Sequence, residues 1–168
     1  GAFLGYSSRL ASEGTTYAGD KTDISNPREY LSMASMSALE TLEKGAKNGF
    51  FLMIESAIID GYGHNNDSEG MKLEMYDFNN TLMLLIDYVH NHPNTLLVVT
   101  ADHETGGTGI AYKHHEVEKK EKVSLNFSTK GHTGTVVPVF AYGPGAECFA
   151  GIMKNTDIPK KLESLMKN

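Results

Sequence analysis

Six side chains in this sequence have metal-ligand chemistry and stand where a fold could make use of it: Glu55, Asp60, His64, Asp102, His103 and His132. Asp102 and His103 follow residues 95–101, a short run rich in Leu and Val, and Gly106 and Gly107 behind them let the backbone turn sharply away. In open α/β sheets, ligands bind just beyond the carboxyl ends of strands, so position alone makes this Asp-His pair a site hypothesis. Asp60 and His64 lie close together with Gly61 and Gly63 between them, and Glu55 closes the apolar run 50–54. His132 is flanked by Gly131 and, two residues on, Gly134.

Carboxylate and imidazole together suit zinc, whereas magnesium takes oxygen ligands. Glu55, with no imidazole beside it, fits a separate magnesium position. Two zinc ions about 4 Å apart can clamp an in-line displacement at phosphorus, one at the attacking oxygen and one at the leaving group. Plainer readings stand beside this one. Asp60 and His64 also read as a capping pair in a glycine-rich loop, and Asp102-His103 as a turn after a strand. His132 carries little by itself, and Glu104 either orients His103 or is an exposed turn residue.

The elements that would position these residues follow from periodicity. Residues 2–6 read as a weak strand and 7–26 as a long exposed loop. Asn26 caps a helix with Pro27 at its first position, Leu31, Met33, Ala34, Met36, Ala38, Leu39 and Leu42 form its buried face, and Gly45 stops it. Residues 50–54 and 95–101 read as strands buried on both faces. Between them Asp67-Ser68 caps a long helix running to about His92, with Met71, Met75, Phe78, Leu82, Leu85, Ile86 and Val89 as its buried stripe. This helix–strand–helix–strand order predicts a single α/β domain over 1–168, with a mostly parallel central sheet, helices on its faces and the acidic and His residues along one carboxyl edge. Residues 109–112 and 123–127 predict a hairpin around a charged surface excursion at 113–122. Pro138 makes the apolar stretch 136–142 an edge or irregular strand. Gly143-Pro144-Gly145 reads as a turn, and Thr156 or Asp157 caps a last helix from near Pro159 that buries Ile158, Leu162, Leu165 and Met166.

Composition bounds the function. Apolar content of 40% with 21% charged residues is that of a globular chain rather than a disordered one. A net charge of −6 argues against a nucleic-acid-binding surface. No segment approaches the roughly 20 apolar residues that span a bilayer, and no signal peptide is visible. The single cysteine, Cys148, forms no intrachain disulfide and reads as packed among Ala146, Phe149 and Ala150. His90 and His92 near a helix end, and His114 and His115 in the charged excursion, read as solvated.

Three ordered segments carry a family resemblance. Phe50-Phe-Leu-Met-Ile-Glu-Ser-Ala-Ile-Ile-Asp60, continuing Gly-Tyr-Gly-His64-Asn-Asn-Asp67, resembles a metal segment of the alkaline phosphatases. Val98-Val-Thr-Ala-Asp-His-Glu-Thr-Gly-Gly107 resembles their second, and Gly131-His-Thr-Gly-Thr-Val-Val-Pro-Val-Phe-Ala-Tyr-Gly-Pro-Gly-Ala-Glu147 their third; Asn155-Thr-Asp-Ile158 is similar to the family's ending. The resemblance covers most of the chain from about Pro27 onward. It implies that Glu55 binds magnesium, that Asp60, His64 and His132 hold one zinc ion, and that Asp102 and His103 hold a second beside a nucleophilic serine. It also implies hydrolysis of phosphate monoesters through a phosphoserine, with an alkaline optimum, by a homodimer in the periplasm or outside the cell.

The sequence departs from the family pattern in three places. Gly61 stands where relatives commonly carry Lys, His or Trp near the phosphate and magnesium. The excursion 113–122 differs in length and content among relatives. The Asp-Ser-Ala nucleophile motif, a metal-bridging aspartate before it and a phosphate-binding arginine after it are absent: Asp67-Ser68-Glu69 and Glu55-Ser56-Ala57 fail the motif, and Arg9 and Arg28 lie in other contexts. The expectation is therefore the carboxyl-terminal portion of a longer alkaline phosphatase, inactive alone and holding about one zinc tightly, because Asp102 and His103 offer fewer than three protein ligands. A non-catalytic metal-binding or interaction domain, and a related phosphomutase or phosphodiesterase, are the alternatives; the wording Thr-Ala-Asp-His-Glu-Thr-Gly-Gly favours the phosphatase over the latter.

Overall fold

A computed structural model of the chain describes residues 30–111 and 124–167. The expectations for residues 2–6, 7–26, the Asn26-Pro27 cap and the excursion 113–122 lie outside them. The described residues divide into two compact units, 30–82 with 105–111 and 124–133, and 83–104 with 134–167.

In the first unit, helix α1 (Tyr30–Gly45) ends at the expected glycine. Its buried line is Ser32, Ser35, Ala38, Leu39 and Leu42; of the expected face Ala38, Leu39 and Leu42 are buried, Leu31, Ala34 and Met36 half-buried, and Met33 is 63% exposed. Two serines can be buried because their hydroxyls are satisfied. Ser35 Oγ donates to the Leu31 carbonyl at 2.6 Å, and Ser32 Oγ lies 2.9 Å from Thr81 Oγ1. Thr81 gives its only hydroxyl proton to the Asp77 carbonyl at 3.0 Å, so Ser32 is the donor to Thr81. Thr81 belongs to helix α3 (Ser68–Asn91), whose buried line within this unit is Met71, Glu74, Asp77 and Thr81, while the expected Met75 is 48% exposed. Small or hydrogen-bonded polar residues thus displace the larger apolar ones from the contact.

Residues 50–54 alternate in exposure, Phe51 at 59% and Met53 at 75%, but form no ladder among the described residues. The expected strand buried on both faces is therefore corrected to a segment with one open face. The next segment is helix α2 (Ile58–Asn65). It stops at Asn66 in the left-handed region (φ 55°), whose N–H bonds Gly63 O while the N–H of Asp67 bonds Tyr62 O, both at 3.0 Å. This paired closure spends two of the carbonyls a helix end leaves open. Asp67 then caps α3 as expected, its Oδ1 accepting the Gly70 N–H at 3.0 Å.

In the second unit, strand β1 (Leu97–Thr100) pairs antiparallel with a strand starting at Val139, in the register Leu97↔Tyr142 to Thr100↔Val139. The expected parallel pairing is not formed by these residues. Alternation of helix and strand predicts a parallel neighbour only if consecutive apolar runs pair, and here the partner arrives from the far side of Pro138, running back. The remaining ladders are two-stranded: β2 (Glu104–Thr105) with β5 (His132–Thr133), and β3 (Gly109–Ala111) antiparallel with β4 (Ser124–Asn126), the expected hairpin. Pro138 sits immediately before β6 (Val139–Tyr142), where it owes the ladder no N–H, and its carbonyl accepts the Thr100 hydroxyl at 3.1 Å. After the Gly143-Pro144-Gly145 turn, a 3-10 turn (Ala146–Phe149) buries Phe149 to 3% exposure. Cys148 beside it is exposed, contrary to the packed position expected, because the short 3-10 turn commits its inward direction to the phenyl ring. Helix α4 (Asp157–Met166) leaves Ile158, Leu162 and Leu165 half-buried and Met166 60% exposed.

Candidate metal centre

Asp60 and His64 occupy the first and last turns of α2, four residues apart, so their side chains leave the same face of the helix. A helix, not the glycine-rich loop that was one open reading, makes this pair. His64 Nε2 stands 3.3 Å from Asp60 Oδ2. His132 on β5 completes the group, its Nε2 being 3.4 Å from Asp60 Oδ1 and 3.1 Å from His64 Nε2. The two imidazole rings are tilted by 40° with centroids 4.9 Å apart. All three side chains are partly exposed, which leaves an approach from solvent.

The backbone supports this group from two sides. The Gly106 N–H bonds Gly131 O at 2.9 Å, and Gly106 O accepts the N–H groups of Ser128 and Thr129, which fixes the segment carrying His132. Gly106 (φ +87°) and Gly107 (φ +55°) supply the sharp turn read from the sequence. The Lys130 carbonyl oxygen meets His64 Nδ1 at 2.5 Å. A carbonyl only accepts, so Nδ1 carries a proton; in the neutral ring the lone pair is then on Nε2, the nitrogen beside Asp60 and His132. This is the tautomer a metal-ligating histidine requires, held by its other nitrogen.

The donor set fits a zinc ion. Tetrahedral ligand atoms at about 2.0–2.1 Å from zinc stand about 3.4 Å apart; here the two Nε2 atoms are 3.1 Å apart, with Asp60 Oδ2 3.3 Å from that of His64 and Oδ1 3.4 Å from that of His132. Two imidazoles and a carboxylate make three protein ligands, the number that leaves a fourth position open for water or substrate. Among the described residues, Asp60, His64 and His132 are the one group of three such side chains whose ligand atoms lie within 4.8 Å of one another.

The other candidates are placed differently. Asp102 and His103 meet each other, His103 Nε2 lying 3.2 Å from Asp102 Oδ2 and the His103 N–H donating to Asp102 Oδ1 at 3.1 Å. The Asp102 side chain is 83% exposed. Glu55 is exposed at the end of the segment 50–54. His90 is exposed as expected, whereas His92 is half-buried, stacked on the Tyr88 ring at 3.9 Å with its Nδ1 2.7 Å from the Tyr88 carbonyl. Thr105 was missed altogether: it is buried, and its hydroxyl donates to Asp60 Oδ1. Its one local signal is a position directly before the Gly106-Gly107 turn.

Residues 11–123 and 108–168 match the family model described as alkaline phosphatase. The chain is 29% identical to alkaline phosphatase 3 of Bacillus subtilis over 83% of its own length and 45% of that protein. It is 30% identical to the streptomycin-6-phosphate phosphatase of Streptomyces griseus over 76% of its length and 33% of that protein. Among solved structures, a variant of the alkaline phosphatase of the Antarctic bacterium TAB5, described with magnesium bound in its M3 site, superposes with a TM-score of 0.75 at 37% identity, covering 83% of this chain and 42% of that one. The chain thus spans less than half the length of these relatives.

Proposed function

This chain belongs to the alkaline phosphatase family, and from that premise we propose that it carries most of the metal-binding side chains of a phosphate monoester hydrolase. Asp60, His64 and His132 hold one zinc ion, Asp102 and His103 contribute to a second, and Glu55 contributes to a magnesium site. The Asp60–His64–His132 triangle is the observation that carries this reading, because one ligand atom from each of the three lies within 4.8 Å of the others and the Lys130 carbonyl engages Nδ1 of His64, leaving Nε2 for a metal. Bound zinc supplies charge stabilisation at the attacking and leaving oxygens of a displacement at phosphorus. The protein's share is to present the His64 and His132 lone pairs, to fix the His64 ring through the Lys130 carbonyl, and to leave an open side where a phosphate oxygen can enter.

The phosphoserine route needs a nucleophile that no Asp-Ser-Ala among these 168 residues supplies, and we assign it to the remainder of a longer enzyme, of which this is the carboxyl-terminal portion. That enzyme is read as a homodimer of the periplasm or extracellular space. The mostly parallel sheet belongs to the same proposal: residues 50–54 alternate in exposure as an unpaired strand does, and they lead to Glu55 as β1 leads to Asp102.

Metal analysis of the purified chain after dialysis tests the proposal. About one zinc equivalent is expected to be retained, since one site has three protein ligands here and the other two. Retention of none, or of two, contradicts it.

A further inference from the structure

Resting on the metal-centre reading above, we propose that Thr105 is the positioning residue that sets the Asp60 carboxylate for metal. Thr105 is 8% exposed, and its hydroxyl donates to Asp60 Oδ1 across a separation of 45 residues. With one carboxylate oxygen held, rotation about the Cβ–Cγ bond stops and Oδ2 stays directed at His64 Nε2, 3.3 Å away. A hydrogen bond from a neutral hydroxyl to an anionic oxygen is charge-assisted and about twice as strong as a neutral one.

Thr105 is itself fixed on two sides. Its carbonyl accepts the Thr108 hydroxyl at 2.8 Å. Its side chain packs against Gly63 of α2 so closely that a Cβ at position 63 would stand 3.0 Å from both Thr105 Cβ and Cγ2. The threonine therefore has two separable parts. The methyl seats it against the helix that carries Asp60 and His64, and the hydroxyl orders the carboxylate. Ordering before the metal arrives removes a cost that binding would otherwise bear, and loss of such a hydrogen-bond partner typically lowers metal affinity ten- to a hundredfold.

The test is a zinc titration of the full 168-residue chain against a chromophoric chelator, with the cobalt(II) absorption spectrum recorded for the same proteins. Thr105→Val keeps the shape and loses the donor, and a zinc affinity about ten- to a hundredfold weaker with an altered cobalt spectrum is expected. Thr105→Ser keeps the donor and should bind within about threefold of the unsubstituted chain. Gly63→Ala, which pushes Thr105 off its seat, should weaken zinc binding as the valine does; it serves if the valine variant does not fold by circular dichroism. Affinity unchanged in Thr105→Val, or in Gly63→Ala where that variant serves, or an equal loss in Thr105→Ser, overturns the assignment. No zinc binding by the unsubstituted chain overturns the metal-centre reading itself, and the assignment with it.

Discussion

Two imidazole nitrogens lie 3.1 Å apart with the Asp60 carboxylate oxygens 3.3 and 3.4 Å from them, and a cation bound among them would offset the cost of bringing them together. Removing one ligand leaves two, too few for a firm zinc site. His132→Ala or Asp60→Asn is expected to lower zinc affinity by at least the ten- to hundredfold that follows loss of a ligand's hydrogen-bond partner. Asp102→Asn, in the other unit, should leave the tightly held ion in place, and chelator competition on the three variants distinguishes them. At this scale the sequence is informative about chemical type and mute about geometry. Asp60 and His64 stand out because they share a glycine-punctuated stretch. Nothing local ties Thr105 to Asp60, and the hydrogen bond between them appears only once β2 lies against α2.

Helix α2 contains two glycines, each intrinsically about 1 kcal/mol poorer than alanine within a helix, and the structure separates their reasons. A Cβ at Gly61 meets nothing within 4 Å. Gly61→Ala should stabilise the chain by about 0.5–1 kcal/mol in urea unfolding. Gly63→Ala should lose that gain and destabilise, because its Cβ meets Thr105 and comes within 3.2 Å of Met71 Cε. The α1–α3 contact is equally specific: Ser32→Ala removes the donor to Thr81 and should cost about 0.5–1.5 kcal/mol. In α4, the hydrogen bond from Lys160 at 3.1 Å holds the exposed Asp157 carboxyl below its usual range. A lowered folded-state value stabilises above the ordinary carboxylate pKa, and that contribution disappears as pH falls through the lowered value. Asp157→Asn should therefore reduce the thermal midpoint slightly at neutral pH, and the difference should vanish in acid. The end of α1 at Gly45 and the cap of α3 were legible because the signals are local: the Asp67 side chain accepts an N–H only three residues on. The buried faces of α1 and α3 were legible except at Met33 and Met75, because apolar periodicity counts these and overlooks buried serine and threonine whose hydroxyls are satisfied.

The whole chain provides two compact units and less than half the length of its relatives. With no Asp-Ser-Ala in it, the purified chain is expected to hydrolyse p-nitrophenyl phosphate at a negligible rate even with zinc and magnesium added, and robust turnover abolished by EDTA would sink the phosphoserine assignment. EDTA should nonetheless lower its thermal midpoint, because an ion bound only by the folded state stabilises it by mass action, about 2.7 kcal/mol at a hundredfold excess over Kd. By itself the sequence determined the family, since ligand types, their order and their glycine neighbours are local features that survive without coordinates. It also determined the hairpin and the cap of α3, whereas Pro138, read as lying inside the strand 136–142, stands just before β6. The resemblance also grouped Asp60, His64 and His132, whose meeting the tertiary structure shows; only tertiary structure decided that Thr105 touches Asp60 and that β1 runs antiparallel to its partner. Those depend on which distant segments meet, and such meetings are set by packing and by close approach at Gly63 and Gly106, which no single window of sequence contains.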